Sequence, residues 1–261
     1  MTDPTPPPDP DPSSGAGDSG STAAGGLVET VRTILIAFLI AIAVRTFLYE
    51  PFNIPSGSMM PTLLKGDYLF VSKLSYGYSR FSFPFSAGPF DGRILQDEPE
   101  RGDVAVFRNP NDASIDYIKR IVGLPGDRIQ VIGGVLHING EAVKRRRVED
   151  YVTPEGQVVA QYVETLPNGL EHRILEAKGD AAFLDNTPLF TVPAGHYFGM
   201  GDNRDQSQDS RMLSLVGYIP AENLIGRADV LFWSVEDQVV LWKPWTWPTG
   251  VRYGRLFDGV D

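Results

Sequence analysis

The spacing of hydrophobic positions changes once along the chain, near residue 50. From Thr33 to Val44 they form one uncharged run of twelve residues, TILIAFLIAIAV, bordered by Arg32 and Arg45. Beyond residue 50 the runs are short, β-branched and aromatic: YLFVSKLSY (68–76), DVAVF (103–107), YIKRIVGL (117–124), DRIQVIGGVLHING (127–140) and RADVLFW (227–233). Turn signals such as RGD, LPGD, GG and NG separate them, which predicts strands joined by tight turns. The stretch IQVIGGVLHINGEAV predicts a hairpin at Gly133-Gly134 and a second turn at Asn139-Gly140. No long amphipathic helical period and no internal repeat occurs in this part. The expectation is a mostly β protein, an antiparallel sheet core preceded by one N-terminal apolar helix. Residues 144–199 are charged and turn-rich, predicting a smaller β subdomain inserted in the core. The expected division is a core of 49–126 and 196–261 with an insert at 127–195. The KRRR run at 144–147 reads as a solvated hairpin tip.

The apolar run admits three readings. Twelve residues fall short of the ~20 that span a bilayer, which suits a buried helix of a soluble domain. AIA at 41–43 has the small-x-small form of a signal-peptide cleavage site. Taken from Leu27 to Leu48 the segment is long enough for a retained membrane anchor, with Arg32 and Arg45 near its ends where they can snorkel. One arginine on each side leaves the orientation open. In front lie residues 1–26, rich in Pro, Asp, Gly and Ser, with too little to bury to offset the entropy of ordering, so a disordered tail is expected.

Composition narrows the function. The net charge is −10, and Asp3, Asp9, Asp11 and Asp18 precede any Lys or Arg. With no basic stripe to offset it, nucleic acid is excluded as a general partner. The chain has no cysteine, so disulfides, thiolate metal sites and cysteine nucleophiles are excluded.

Three clusters carry candidate chemistry. FNIPSGSMMPTL (52–63) places Ser56 and Ser58 around Gly57, and a serine needs a base before it attacks. None of His137, His172 and His196 is marked as that base. In DYIKRIVGLPGD, strand alternation puts Lys119 on one face with Tyr117 and Ile121. There it is either a surface lysine on a half-exposed strand or a desolvated amine whose lowered pKa suits general-base work near pH 7–8. GMGDNRDQSQDSR (199–211) reads either as a cation site built from Asp202, Asp205 and Asp209 or as a loop knitted by Asx turns and ion pairs.

SGSMMPTL, DYIKR-VGLPGD and GDNRD-S-DSR, in this order behind an apolar segment, resemble bacterial type I signal peptidases, the Ser/Lys leader peptidases. The resemblance runs from about residue 27 to the C-terminus; Gln206 stands where the family usually has Asn. It implies a membrane-anchored serine endopeptidase that removes signal peptides from exported preproteins after Ala-x-Ala-like sites. Ser58 would be the nucleophile and Lys119 the base, with the Ser58 N–H and the Ser56 hydroxyl as the oxyanion hole. Gly57 would allow the tight backbone between them. Ser207 would bond the Lys119 amine, Asp209 and Arg211 would brace the loop, and the third cluster would then hold no metal. Ile54, Leu63, Tyr117 and Ile118 would line shallow substrate pockets. No metal or organic cofactor is implied. The partners would be preproteins and the lipid bilayer, the site of action the outer, periplasmic face of the bacterial cytoplasmic membrane, with one pass and the tail inside. Ala43 would be exposed to self-cleavage. Aromatic stretches at 76–90 and 241–248 read either as ordinary loop packing under the core or as an interfacial belt at the bilayer surface. Two rivals are a self-cleaving Ser/Lys protease on a similar core and a catalytically silent anchored module that binds exported polypeptides.

Overall fold

The computed structural model describes residues 20–83, 88, 90–236, 239, 245 and 247–260, and it separates into two units between Ile42 and Ala43. Helix α1, Gly20–Phe47, makes up the described part of the first unit and runs on into the second. Its segment Val28–Phe47 is long and apolar enough to cross a membrane. Ile34, Leu35, Ile36, Phe38, Leu39 and Ile40 spread over about two-thirds of the helix circumference and Ala37 and Ala41 fill the rest, and all are exposed. Apolar residues all round are what a bilayer-spanning helix presents. The helix begins at Gly20, ahead of Leu27, because propagating an existing helix backward through Ser-Thr-Ala-Ala costs far less than nucleating one. Residues 1–19 of the expected disordered tail lie outside the described residues.

The longer strands of the second unit are, in chain order, β1 (Tyr49–Asn53), β2 (Asp67–Ser72), β3 (Val104–Arg108), β4 (Asp116–Gly123), β5 (Arg128–Ile132), β6 (Val135–Ile138), β7 (Lys144–Arg147), β8 (Val158–Thr165), β9 (Glu171–Glu176), β10 (His196–Met200) and β11 (Leu224–Ser234). The main sheet has the order β1-β2-β11-β3-β4-β10, with the short strand Ile219–Pro220 at its far edge. Its pairings are antiparallel. β3 shows why the sheet is central. Val104 and Val106 pack on one side with Leu69 and Val71, while Ala105 and Phe107 pack on the other with Ile121 and Tyr197. Burial of both faces needs the uninterrupted VAVF run rather than polar alternation.

After Gly123 the chain leaves this sheet, and it returns at β10 alongside β4, with Gly199 opposite Ile121. In between, β5 and β6 form the Gly-Gly hairpin, where Gly133 and Gly134 take φ of 54° and 72°. Both values are positive, as a turn matching right-handed strand twist requires. The following Asn139-Gly140 turn repeats this with φ of 57° and 89°. The KRRR run is not a hairpin tip: it is strand β7, paired with β8. The guanidiniums of Arg145 and Arg147 lie 4.6 and 5.3 Å from the centre of the Tyr162 ring, so cation–π contact makes a strand of a basic run.

The aromatics at 76–81 follow the packing reading and not the belt. Tyr76, Tyr78 and Phe81 are buried, with Tyr76 Oη bonded to Asp103 and Tyr78 Oη to the Phe47 carbonyl. They are core residues, their hydroxyls satisfied internally, and not an exposed belt. Residues 84–87, 89, 241–244 and 246 of the two stretches lie outside the described residues; Trp245 is exposed.

Candidate active site

The segment joining β1 to β2 carries both serines. Ile54, Met59 and Leu63 are buried in the core with Leu69 and Val104, which pins the loop on both sides of Ser58. Asn203 straps it from above: its N–H donates to the Ser58 carbonyl at 3.1 Å and its Nδ2 to the Gly57 carbonyl at 3.0 Å. Ser58 is buried, and its Oγ lies 3.4 Å from Ser56 Oγ. The Ser58 N–H makes no hydrogen bond among the described residues. Gly57 does not take a left-handed φ. A Cβ there would lie 2.7 Å from Met60 Cε, the movable end of a flexible chain, so the demand for glycine is steric and mild.

Lys119 on β4 meets this loop. Its Nζ donates to Ser58 Oγ at 2.8 Å and to the Ile118 carbonyl at 2.7 Å, and lies 5.3 Å from the Tyr117 ring centre. The side chain is 2% exposed. Burial lowers its pKa from 10.5 to about 8; the charges of Asp209 and Asp202 oppose that fall and Arg211 adds to it. An amine held there is partly neutral near pH 7–8, the condition for a base.

Two glycines make the room. A Cβ on Gly199 would lie 3.0 Å from Lys119 Cβ, and a Cβ on Gly201 would lie 2.3 Å from Ser207 Oγ and 2.5 Å from the Ser58 carbonyl oxygen. Glycine is therefore required on steric grounds at both positions, one near the end of β10 against the lysine stem and one just beyond it against Ser207 and the serine loop.

Behind the pair, Asp209 accepts three bonds from Arg211, from Nε at 2.9 Å, a terminal nitrogen at 2.8 Å and the backbone N–H at 3.2 Å, and a fourth from the Gly201 N–H at 3.1 Å. Burial alone would raise the Asp209 carboxyl, but Arg211 holds it below the usual carboxylate range. Ser207 is buried next to Gly201, yet its Oγ makes no hydrogen bond to Lys119, whose bonds go to Ser58 and Ile118. Leu63 is fully buried and Ile54 nearly so, so each could shape a pocket only from beneath. Tyr117 and Ile118 keep exposed surface, and Tyr117 Oη bonds Gln208 at 3.2 Å.

One buried group was not among the sequence candidates. Arg120, beside Lys119 on β4, grips Asp202 through Nε at 2.9 Å and a terminal nitrogen at 2.8 Å, and Asp202 also accepts from Thr62 Oγ1 at 2.6 Å. This ties β4, the Ser58 loop and the GDN segment together. The basic residue inside DYIKR was visible in the sequence, but strand alternation alone gave no reason to bury it. Asp202, Asp205 and Asp209 do not converge on a common ion: Asp202 and Asp209 each face an arginine. Among the described residues no histidine bonds Ser58 or Lys119: His172 lies 3.4 Å from Glu164 and 3.9 Å from Asp202, and Nδ1 of His137 and of His196 faces a nearby carbonyl. An open groove of about 810 Å³ starts at Gly57 and Met60 and continues past Gln206 to Tyr151, Val152 and Glu155 of the insert.

Residues 27–233 match the family described as signal peptidase, peptidase S26. The chain is 43% identical over 245 residues to signal peptidase I of Rickettsia conorii, covering 86% of this chain and 90% of that one. It is 42% identical over 248 residues to signal peptidase I of Rickettsia canadensis, covering 88% and 92%. A crystal structure of a signal peptidase I from Enterococcus faecalis aligns with a TM-score of 0.30 at 25% identity, over 50% of this chain and 97% of that one.

Proposed function

The chain belongs to the peptidase S26 family of signal peptidases, as a serine endopeptidase of the signal peptidase I type, and on that premise we propose that Ser58 and Lys119 form its catalytic dyad. The observation that carries this reading is the 2.8 Å contact between a buried amine and the Ser58 hydroxyl. Neutral Lys119 takes the Ser58 proton as Oγ bonds to the scissile carbonyl carbon. The ammonium so formed hands that proton to the departing amine, leaving an ester on Ser58. Lys119, neutral again, deprotonates a water that attacks the ester, and the proton returns to Oγ as the signal peptide leaves. The Ser58 N–H and Ser56 Oγ stabilise the oxyanion, which is worth most in a water-excluded site. Asp209 and Arg211 position the loop, and Ser207 packs against it.

Cleavage follows Ala-x-Ala-like sequences: Tyr117 and Ile118 offer surface to small side chains, with Ile54 and Leu63 beneath. The groove from Gly57 toward the insert leaves room for an extended chain. The enzyme is held by α1 in the bacterial cytoplasmic membrane, with the catalytic unit on the outer side, where preproteins emerge. Residues 49–126 and 196–261 form the catalytic core and 127–195 the insert.

The test is to incubate purified protein in detergent with a synthetic preprotein and sequence the new N-terminus. Release after Ala-x-Ala by the wild type, with rates at least about 10⁴-fold lower in Ser58→Ala and Lys119→Ala and unchanged circular dichroism, is expected. Turnover retained in either variant means that other residues do the chemistry.

A further inference from the structure

Glu176, Asp185 and Asp205 come from three separate segments: the end of β9, the loop that follows it, and the 3-10 turn Arg204–Gln206 just after Asn203. One carboxylate oxygen from each lies within 4.8 Å of the others, and Glu176 and Asp185 are 2% and 1% exposed. Like charges this close in a buried place are stable only if a proton or a cation sits among them. Among the described residues, no neighbouring cation hydrogen-bonds these carboxylates. Arg204 bonds Glu164 through both terminal nitrogens and keeps only a buried Nε without a partner, and Arg211 bonds Asp209. Arg145 bonds Asp180 at 2.8 Å and comes no nearer than 3.8 Å to Glu176.

The hydrogen bonding points the same way. Among the described residues, the buried carboxylate oxygens without a hydrogen-bond partner are both oxygens of Glu176 and Oδ1 of Asp205. The other oxygen of Asp205 accepts from the Lys178 N–H at 2.6 Å, and Asp185 Oδ2 accepts from the Ala182 N–H at 2.6 Å. Asp185 is thus fixed by its own loop and Asp205 by the backbone of the 177–185 loop, while Glu176, more than nine-tenths buried, projects into the cluster with nothing to receive.

We propose that Glu176, Asp185 and Asp205 form a binding site for a hard divalent cation of calcium size, which ties the 177–185 loop to the turn that carries Asn203. Oxygens up to 4.8 Å apart can share an ion at the 2.3–2.6 Å of a calcium–oxygen bond, whereas magnesium needs about 2.1 Å and stricter geometry. An all-oxygen donor set does not select zinc. The site stands apart from the Ser58–Lys119 pair and does not depend on the dyad. Its link to that region is mechanical: Asp205 lies two residues from Asn203, which straps the Ser58 loop.

The test uses the full chain in detergent, stripped with a chelator, then equilibrium dialysis against calcium chloride alongside thermal melts. Expected are about one calcium per chain, half-saturation in the range of about 0.1–1 mM, and a Tm rise of a few degrees, with magnesium weaker. Glu176→Gln and Asp185→Asn should each weaken binding by at least about tenfold, and the exposed Asp91→Asn should leave it unchanged. Calcium taken up equally by the wild type and both variants would locate it elsewhere, for example on the tail aspartates, and would overturn the site. Absence of bound calcium in the wild type would also overturn it, and a Tm that rises in Glu176→Gln without any ion response would show that a proton holds the cluster.

Discussion

The two faces of β4 treat a buried cation in opposite ways. Lys119 and Arg120 are adjacent, 2% and 0% exposed, and strand alternation sends them to opposite sides of the sheet. Arg120 meets a carboxylate in bidentate geometry, so its charge is matched. Lys119 meets a hydroxyl, a carbonyl and a ring face, and its nearest carboxylates act only at a distance, so burial prevails and the amine loses its proton readily. Burial is common to both. The partner decides whether the residue becomes a structural tie or is left free for the base role proposed for Lys119.

The sharpest way to break this comparison is to remove each charge. Arg120→Met leaves Asp202 buried without its partner and should cost about 3–5 kcal/mol, read as a lower urea midpoint. Lys119→Met removes a desolvated amine and should match or exceed the wild type in stability. Equal losses in the two variants would abolish the distinction.

A pH series sharpens the Lys119 side. With a pKa of about 8, kcat/KM should fall roughly tenfold per unit as pH drops below that value. A rate flat to about pH 5 would contradict a lysine base. The same shift has a signature in stability. The folded pKa lies below the ordinary 10.5, so the folded chain holds fewer protons than the unfolded one between these values. Wild-type stability should therefore rise with pH across that window, and the advantage of Lys119→Met should shrink from pH 8 to 10.5. An advantage constant with pH would mean that the amine is not desolvated.

The smallest effect tests the Arg120 side. Thr62→Val removes the 2.6 Å bond to Asp202 and should cost about 1 kcal/mol, with a modest fall in cleavage because the Ser58 loop loses one tie. Circular dichroism melts and the preprotein assay read both quantities.

Much of the fold was legible locally. The hairpin turns at Gly133-Gly134 and Asn139-Gly140, the strands around VAVF and YIKRIVG, and the apolar helix follow from residue types and spacing that act within a few positions. The KRRR run is solvated as expected but folds as a strand rather than a hairpin tip, and the aromatics at 76–81 left packing and an exposed belt equally open. Which element a basic run joins, and whether an aromatic is solvated, depends on a partner, here Tyr162 for the arginines and Asp103 for Tyr76, and period says nothing about partners. Motif resemblance pointed to Ser58 and Lys119, but alternation left Lys119 equally readable as a surface residue. Arg120 and Asp202 went unpaired in the sequence reading for the same reason, being 82 positions apart.

By itself the sequence determined where strands, turns and the apolar helix form, and which side chains were available to react. How those side chains behave was settled by long-range packing. The hydration and charge around Lys119, Arg120 and Glu176 come from segments tens of residues away, and an ionisable group takes its character from that surrounding field.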